Sequence, residues 1–524
     1  MESKKTKIIS IVAIVALLLV VITTTYAYFN ASIGDPAAAD VKINANTVDT
    51  LTFSSGNEIT LNLDQENFAS GKGNQSGSTY ASAMLTANNK TNTATEHYYL
   101  YLNISDNTFT YSINENTPEI IMTVTDNTGA EVTDISTLNH VIVTGADGTQ
   151  VSGYDITYKS GLITLFNNRE ITANPSKEEK WNIKVTFVNY DENQNANAGK
   201  SMSAKVMIQR KKIIAYISDM CSSNDNLANC LTTLGNIENL KFTNLYHHDS
   251  TLTNGAGDNS YRYAGASNVV NNFMCFGSAE SPCPTDNLYR IIGVFGEQVK
   301  LIKYDYANSN LLGTDGDYYT STFSKSSYST YKGELTEINK YYWNYKANNS
   351  NSNTWSTSLF NKTNLNTNFL NNIGPTWSNL IEDTTWKVGG NKTCNVTPSA
   401  MYTAEITNAT KIYGPSDGTS KIGLMYASDY GFAASPSAWT ANLSSYSNSS
   451  IISVNWMYMG LNEWTLTPYS LNSYYVFDLS KDGSFGGNYN AGNGRGVRPV
   501  LYLKASVAYA GGSGTKDAPI TLVV

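Results

Sequence analysis

The chain has 524 residues, with 35 Lys and Arg against 43 Asp and Glu, a formal charge of −8, and charged residues making up only 15 %. That balance supplies no basic field, which excludes nucleic acid and anionic lipid surfaces as partners, and the length predicts two or three domains. Surface polarity comes instead from Asn, Ser, Thr and Tyr, a mixture that gives recognition surfaces contact area at low entropic cost.

The first element reads as a secretory signal. Lys4, Lys5 and Lys7 precede an apolar run from Ile8 to Ile22 broken only by Ser10, and Thr23 to Ala27 can present a cleavage site. Residues 1–29 are therefore expected to be either a signal peptide cut near Ala27 or a retained N-terminal membrane anchor. The run alone is shorter than the roughly 20 residues of a spanning helix, and extension through Tyr28 and Phe29 brings it close. On either reading the rest of the chain lies outside the cell, and the membrane is met only through this segment.

Residues 41–210 are predicted to form an all-β antiparallel sandwich. Leu100, Leu102 and Ile104 alternate with Tyr99, Tyr101 and Asn103, and Trp181, Ile183, Val185 and Phe187 alternate with Asn182, Lys184 and Thr186. Met202, Ala204, Val206 and Ile208 repeat the pattern. Period two marks half-buried strands, and Asp126-Asn127-Thr128-Gly129 and Ala146-Asp147-Gly148 supply turns between them.

Residues 211–240 change to a spacing near helical, from Ile213 through Ile217 and Leu227 to Leu234, and are expected to be a helical connector. Residues 241–524 hold every tryptophan except Trp181 and are expected to be a separate α+β domain with an aromatic core. Leu288 to Phe295 and Gln298 to Tyr304 flank Gly296-Glu297 as a hairpin. Leu359, Phe360, Leu365, Phe369 and Leu370 suggest a helix ended by Gly374 and Pro375. A further strand pair flanks Lys481-Asp482-Gly483, and Pro499 to Leu503 closes the domain.

The five cysteines divide into Cys221 with Cys230, Cys275 with Cys283, and an odd Cys394. In an oxidising compartment each pair can close a short loop, worth roughly 2–3 kcal/mol. Free thiols are the competing reading, as is zinc, although gaps this wide depart from the short spacing of zinc ligands. No metal and no cofactor is assigned.

Chemistry is sparse. Of four histidines, His97 and His140 read as strand or loop positions, and His247-His248-Asp249 as a solvated loop, since adjacent residues on an extended chain point to opposite sides. Asp315-Gly316-Asp317 and the run from Asp478 to Gly483 lack the closing Glu of a calcium loop and read as turns. No catalytic residue is assigned and the chain is not expected to be an enzyme. Arg498, between a glycine-rich loop and the last apolar strand, is expected to be structural, held by carboxylate or carbonyl partners. The tryptophans are expected to fill the core for the most part. Residues 444–494, rich in Ser, Asn, Tyr and Gly around Trp456 and Trp464, form the candidate binding region.

Three stretches resemble known families. Tyr26-Ala27-Tyr28-Phe29 ahead of a β-rich domain resembles the camelysin and TasA-type biofilm-fibre proteins of Gram-positive bacteria, whose signals are cut just before a similar aromatic pair. Pro118-Glu119-Ile120-Ile121, Gly153-Tyr154-Asp155-Ile156-Thr157 and Trp181 to Asn189 look like the sandwich domains that accompany such signals in gut Firmicutes. Asn287 to Val294, Ile422 to Gly431, Asn462-Glu463-Trp464-Thr465 and Gly496-Val497-Arg498-Pro499-Val500 look like a domain widespread in surface proteins of gut bacteria. Their closing Gly-x-Arg is similar to the formylglycine-generating-enzyme branch of C-type-lectin-like folds.

That resemblance implies a C-type-lectin-like C-terminal domain with ligand-facing loops, and it makes Trp464, Tyr469, Tyr474, Tyr475, Asn488, Tyr489 and Asn490 the ligand candidates. No cysteine follows Cys394, so the oxidase chemistry of that branch is not carried over, nor is calcium-dependent sugar binding, whose Glu-Pro-Asn or Gln-Pro-Asp loop is missing. The expected function is an exported surface binding or adhesion protein whose partner is an extracellular protein or glycan. The alternative is a self-assembling subunit of an extracellular fibre.

Overall fold

The structure, a computed structural model, describes residues 49–64, 67, 72–88, 92–114, 116–135, 138–237, 240–319, 329–331, 334–336, 340–345, 352–408 and 417–524. The side chains of 240–241, 329–330, 334–336 and 487–489 also fall outside the description, as does the expected signal or anchor at 1–29. No described helix is long and apolar enough to cross a membrane. The chain divides into two compact units, 1–213 and 214–524, both dominated by antiparallel sheet, so the molecule is a multidomain, multi-sheet β-rich protein.

In the first unit the strands are β1 (Thr50–Ser55), β2 (Ile59–Asn62), β3 (Gln75–Thr86), β4 (Ala94–Asn107), β5 (Ile120–Thr125), β6 (His140–Thr144), β7 (Gln150–Asp155), β8 (Gly161–Ala173), β9 (Ser176–Phe187) and β10 (Ser201–Gln209). They form a six-stranded sheet, β1-β3-β9-β5-β7-β6, and a four-stranded sheet, β2-β10-β4-β8. The alternation read from sequence gives each sheet one apolar face. Leu100, Leu102 and Ile104 of β4, Ile183, Val185 and Phe187 of β9, and Met202, Ala204 and Val206 of β10 all meet in one buried cluster. Trp181 ends that cluster with its indole N–H donating to the Tyr98 hydroxyl at 2.8 Å, and Tyr98 in turn donates to Glu179 at 2.6 Å.

The second unit opens with α1 (Leu227–Gly235), capped by Asn226, whose side chain accepts from the Asn229 amide. Leu227, Leu231 and Leu234 belong to this unit's buried core, so the segment expected to join the halves packs here as core. The main sheet is built from β11 (Leu245–His248), β12 (Ser260–Tyr263), β13 (Phe273–Cys275), β14 (Leu288–Phe295) and β15 (Gln298–Lys303). A π-type helical stretch, Phe360–Phe369, continues into α2 (Leu370–Ser378), where Gly374 at φ 78° breaks the helix and Pro375 starts its last turn. There follow α3 (Pro398–Tyr402), β16 (Ile422–Gly423), α4 (Ala427–Ala433), β17 (Glu463–Pro468), β18 (Tyr475–Leu479), β19 (Phe485–Asn490) and β20 (Val500–Tyr502).

The main sheet runs β11-β12-β14-β15-β20-β16, with β13 also paired to β14, and β17-β18-β19 form a separate three-stranded sheet. β14 is buried along nearly all its length, and for that reason it reads as an unbroken apolar run rather than an alternating one. The hairpin expected at Gly296-Glu297 joins β14 to β15. Gly293 marks an irregularity in that ladder, and a Cβ there would stand 2.0 Å from the Tyr261 carbonyl oxygen of β12. Gly293→Ala is therefore expected to force the strands apart and cost about 1–3 kcal/mol, read as a lower denaturant midpoint.

Candidate functional site

The loop 469–474 links β17 to β18, and its shape is fixed from outside. The Asn353 side-chain amide donates to the carbonyls of Tyr469, Asn472 and Tyr475, at 3.4, 2.7 and 3.2 Å, while its backbone N–H donates to Ser473 at 2.7 Å. A second tie runs through Ala491, whose N–H donates to the Tyr474 carbonyl and whose carbonyl accepts from Trp343 and Asn344. These bonds bring the segment 341–345 beside the hairpin tip, a juxtaposition across well over a hundred residues of chain.

Two buried indoles anchor the arrangement. Trp343 donates to the Thr465 carbonyl at 2.9 Å and Trp464 donates to the Tyr341 carbonyl at 2.8 Å, so each segment's tryptophan is bonded to the other's backbone. Trp464 is 0 % exposed, and its one polar atom is already used. It cannot meet a ligand without opening the core, which removes it from the candidate surface: the polar sequence around it signals loops, while the indole itself points inward.

The other candidates divide by exposure. Tyr474 is 39 % exposed, Tyr469 and Tyr475 are half-buried, and their rings touch in series, Tyr474 to Tyr475 at 4.6 Å and Tyr475 to Tyr469 at 6.2 Å. Asn490 is half-buried at the end of β19 opposite Tyr475, with its side-chain Oδ1 accepting from the Gly492 amide. The side chains of Asn488 and Tyr489 lie outside the described residues. Sequence reasoning missed Leu471, 51 % exposed, and Tyr345, 37 % exposed, whose ring stands 5.1 Å from Tyr342. The signal for both was present: one apolar residue in a polar tip, and an aromatic run from Tyr341 to Tyr345 too dense for core alone.

Two ion pairs, one part-buried and one buried, hold the glycine-rich return. Arg495 Nε lies 2.5 Å from Asp478 Oδ2, and burial pushes the Asp478 carboxyl up to about 6 against that partner. Arg498 is 2 % exposed, with Nε 2.8 Å from Glu463 Oε1 and a second bond to the Met457 carbonyl at 2.8 Å. Its partners are thus one carboxylate and one carbonyl, and it does not reach the exposed rings.

Elsewhere, the two cysteine pairs sit at disulfide distance, Cys221 to Cys230 with Cα atoms 6.0 Å apart and Cys275 to Cys283 with 5.8 Å. Asp225 lies close to the first pair, but bonded sulfurs leave only its carboxylate as a ligand. Cys394 is a half-buried free thiol that burial pushes up. His247 and His248 lie on β11 rather than in a solvated loop. His247 stacks on Tyr261 at 4.2 Å, and His248 is buried against Phe432 and Trp439, where desolvation holds it well below the usual histidine range.

The first unit carries an open groove of about 470 Å³ lined by Ser76, Thr123, Glu131, Ser152, Lys184 and Thr186, among others. His140 Nε2 and Ser152 Oγ approach the same Glu131 oxygen, at 2.9 and 3.0 Å. A nucleophilic serine needs the imidazole on its hydroxyl. Here the carboxylate stands between them, and both the imidazole and the hydroxyl bond to it.

No family model matches this chain, and neither a curated protein nor a solved structure is significantly similar to it.

Proposed function

We propose that this chain is an exported cell-surface protein that binds an extracellular protein or glycan through the tyrosine surface formed by residues 469–475 and 341–345. In this reading residues 1–29 are the export signal or anchor, the first unit is a β-sandwich that spaces the second from the cell, and the second is a C-type-lectin-like module. The observation that carries it is the exposure of Tyr345, Leu471 and Tyr474 on loops whose backbones are tied to a buried scaffold. Exposed aromatics held without conformational freedom lose little entropy on binding, which is how such loops gain affinity. Two cysteine pairs at disulfide distance suit an oxidising exterior.

The test is retention of the intact protein on glycan and protein arrays, beside a Tyr345→Ala/Tyr474→Ala variant. The wild type is expected to hold a ligand that the variant binds at least about tenfold more weakly, a loss of ~1.4 kcal/mol, with an unchanged melting temperature. Equal retention by both proteins contradicts the reading.

One observation favours a fibre subunit as a second reading. β6 is an edge of the six-stranded sheet, and Ile142 on it is 65 % exposed. An edge strand carrying an exposed β-branched residue is a template for pairing with another chain. Ile142→Lys is expected to abolish any concentration-dependent polymerisation seen by light scattering, and a wild type that stays monomeric at high concentration excludes the fibre reading.

A further inference from the structure

The second unit buries an amine, two carboxylates and a guanidinium in one place. Lys300 of β15 is 1 % exposed and Asp429 of α4 is 2 % exposed, with Nζ 2.5 Å from Oδ2. The Lys300 ammonium is walled by the rings of Tyr426, Phe295 and Tyr502, at 4.6, 5.3 and 5.4 Å. Beside them Glu405 is 0 % exposed and shares one oxygen between the Thr467 hydroxyl at 2.5 Å and the Ser428 amide at 3.4 Å, while Oε2 has no hydrogen-bond partner.

We infer that Lys300 and Asp429 condense into an intramolecular amide, with Glu405 as the proton relay. Nζ attacks Cγ of Asp429, the new N–C bond forms, and one Cγ–O bond breaks. Of the ammonium protons one stays on the amide nitrogen and the other two leave with the departing oxygen as water, so no co-reactant is required. Glu405 takes these two protons from the nitrogen in turn and passes each to the departing oxygen, and ends as it began.

Three features of the site suit this step. Burial favours the neutral form of both reactants' relay and nucleophile: it pushes Glu405 up to about 7 and, against the pull of Asp429, lowers Lys300. The Tyr426 amide at 2.9 Å from Oδ2 and the Arg262 guanidinium at 3.6 Å from Oδ1 stand where negative charge grows on the tetrahedral carbon's oxygens. Condensation removes two charges from a dry interior and still leaves Arg262 paired, since Asp258 lies 2.6 Å from it. An uncondensed pair in the same place keeps the full desolvation cost.

The test is peptide mapping of the intact protein by mass spectrometry after reduction and proteolysis. The expected result is a branched peptide joining the Lys300 and Asp429 segments, lighter than their sum by one water, with the two linear peptides depleted. Recovery of both linear peptides in full yield, without the branched one, overturns the inference. Glu405→Gln, refolded and sampled over time, is expected to form the branch about a hundredfold more slowly. Branching at the wild-type rate in that variant removes Glu405 from the step.

Discussion

Replacing Arg498 with alanine is expected to lower the unfolding free energy of the second unit by about 3–5 kcal/mol, because it strands the buried Glu463 carboxylate without its cation. The loss has two further parts: the hydrogen bond to the Met457 carbonyl goes, and so does the packing of the guanidinium 5.7 Å from the Tyr306 ring centre. The effect belongs to the broken pair rather than to the charge itself. An Arg498→Met/Glu463→Met double variant, in which neither charge remains, is therefore expected to recover much of the loss. Tryptophan fluorescence during denaturation reads this unit selectively, since seven of the eight tryptophans lie in it. A single variant as stable as the wild type would show that the pair is dispensable.

The second large effect is a dependence on pH. Burial raises Glu405 from 4.5 to about 7 and Asp478 from 3.8 to about 6. Between the unfolded and folded values the native state holds protons that the unfolded chain has lost, so stability falls as pH rises through that window. For Glu405 the window runs from 4.5 to about 7, and the fall amounts to ~3 kcal/mol. Asp258 has the opposite sign, since its value drops from 3.8 to about 2 beside Arg262, and its contribution is lost only in acid below that window. Glu405→Gln is expected to remove about half of the fall in denaturant midpoints measured across these pH values, the Asp478 share remaining, and an unchanged slope in that variant would place the titration elsewhere.

The strands of the first unit were legible because each sheet has one wet face. Lys184 and Val185, or Ser203 and Ala204, alternate across the same backbone, and period two reports that directly. The second unit was harder for the same physical reason. β14 and β15 are buried on both faces, so Arg290 and Lys300 sit inside a sheet where periodicity predicts nothing about direction. His248 is an instance: its neighbours suggest a polar loop, yet alternation on β11 turns it into the packing of Phe432 and Trp439.

The candidate surface was half legible. Tyr474 and Tyr475 were visible as tyrosines in a polar loop, whereas Tyr345 was not, because its place depends on Asn353 and Ala491 tying two distant segments together. Trp464 misled for the converse reason. Its flanks read as loop, but the bond from its indole to Tyr341 places it in the interior.

The most direct measurement is where the native protein sits and what its cysteines carry. Cells producing it, treated intact with a membrane-impermeant label and then fractionated under acid, are expected to yield labelled protein from the envelope or medium, with Cys394 as its only free thiol. Unlabelled protein confined to the cytosol, with all five cysteines reduced, would contradict the account.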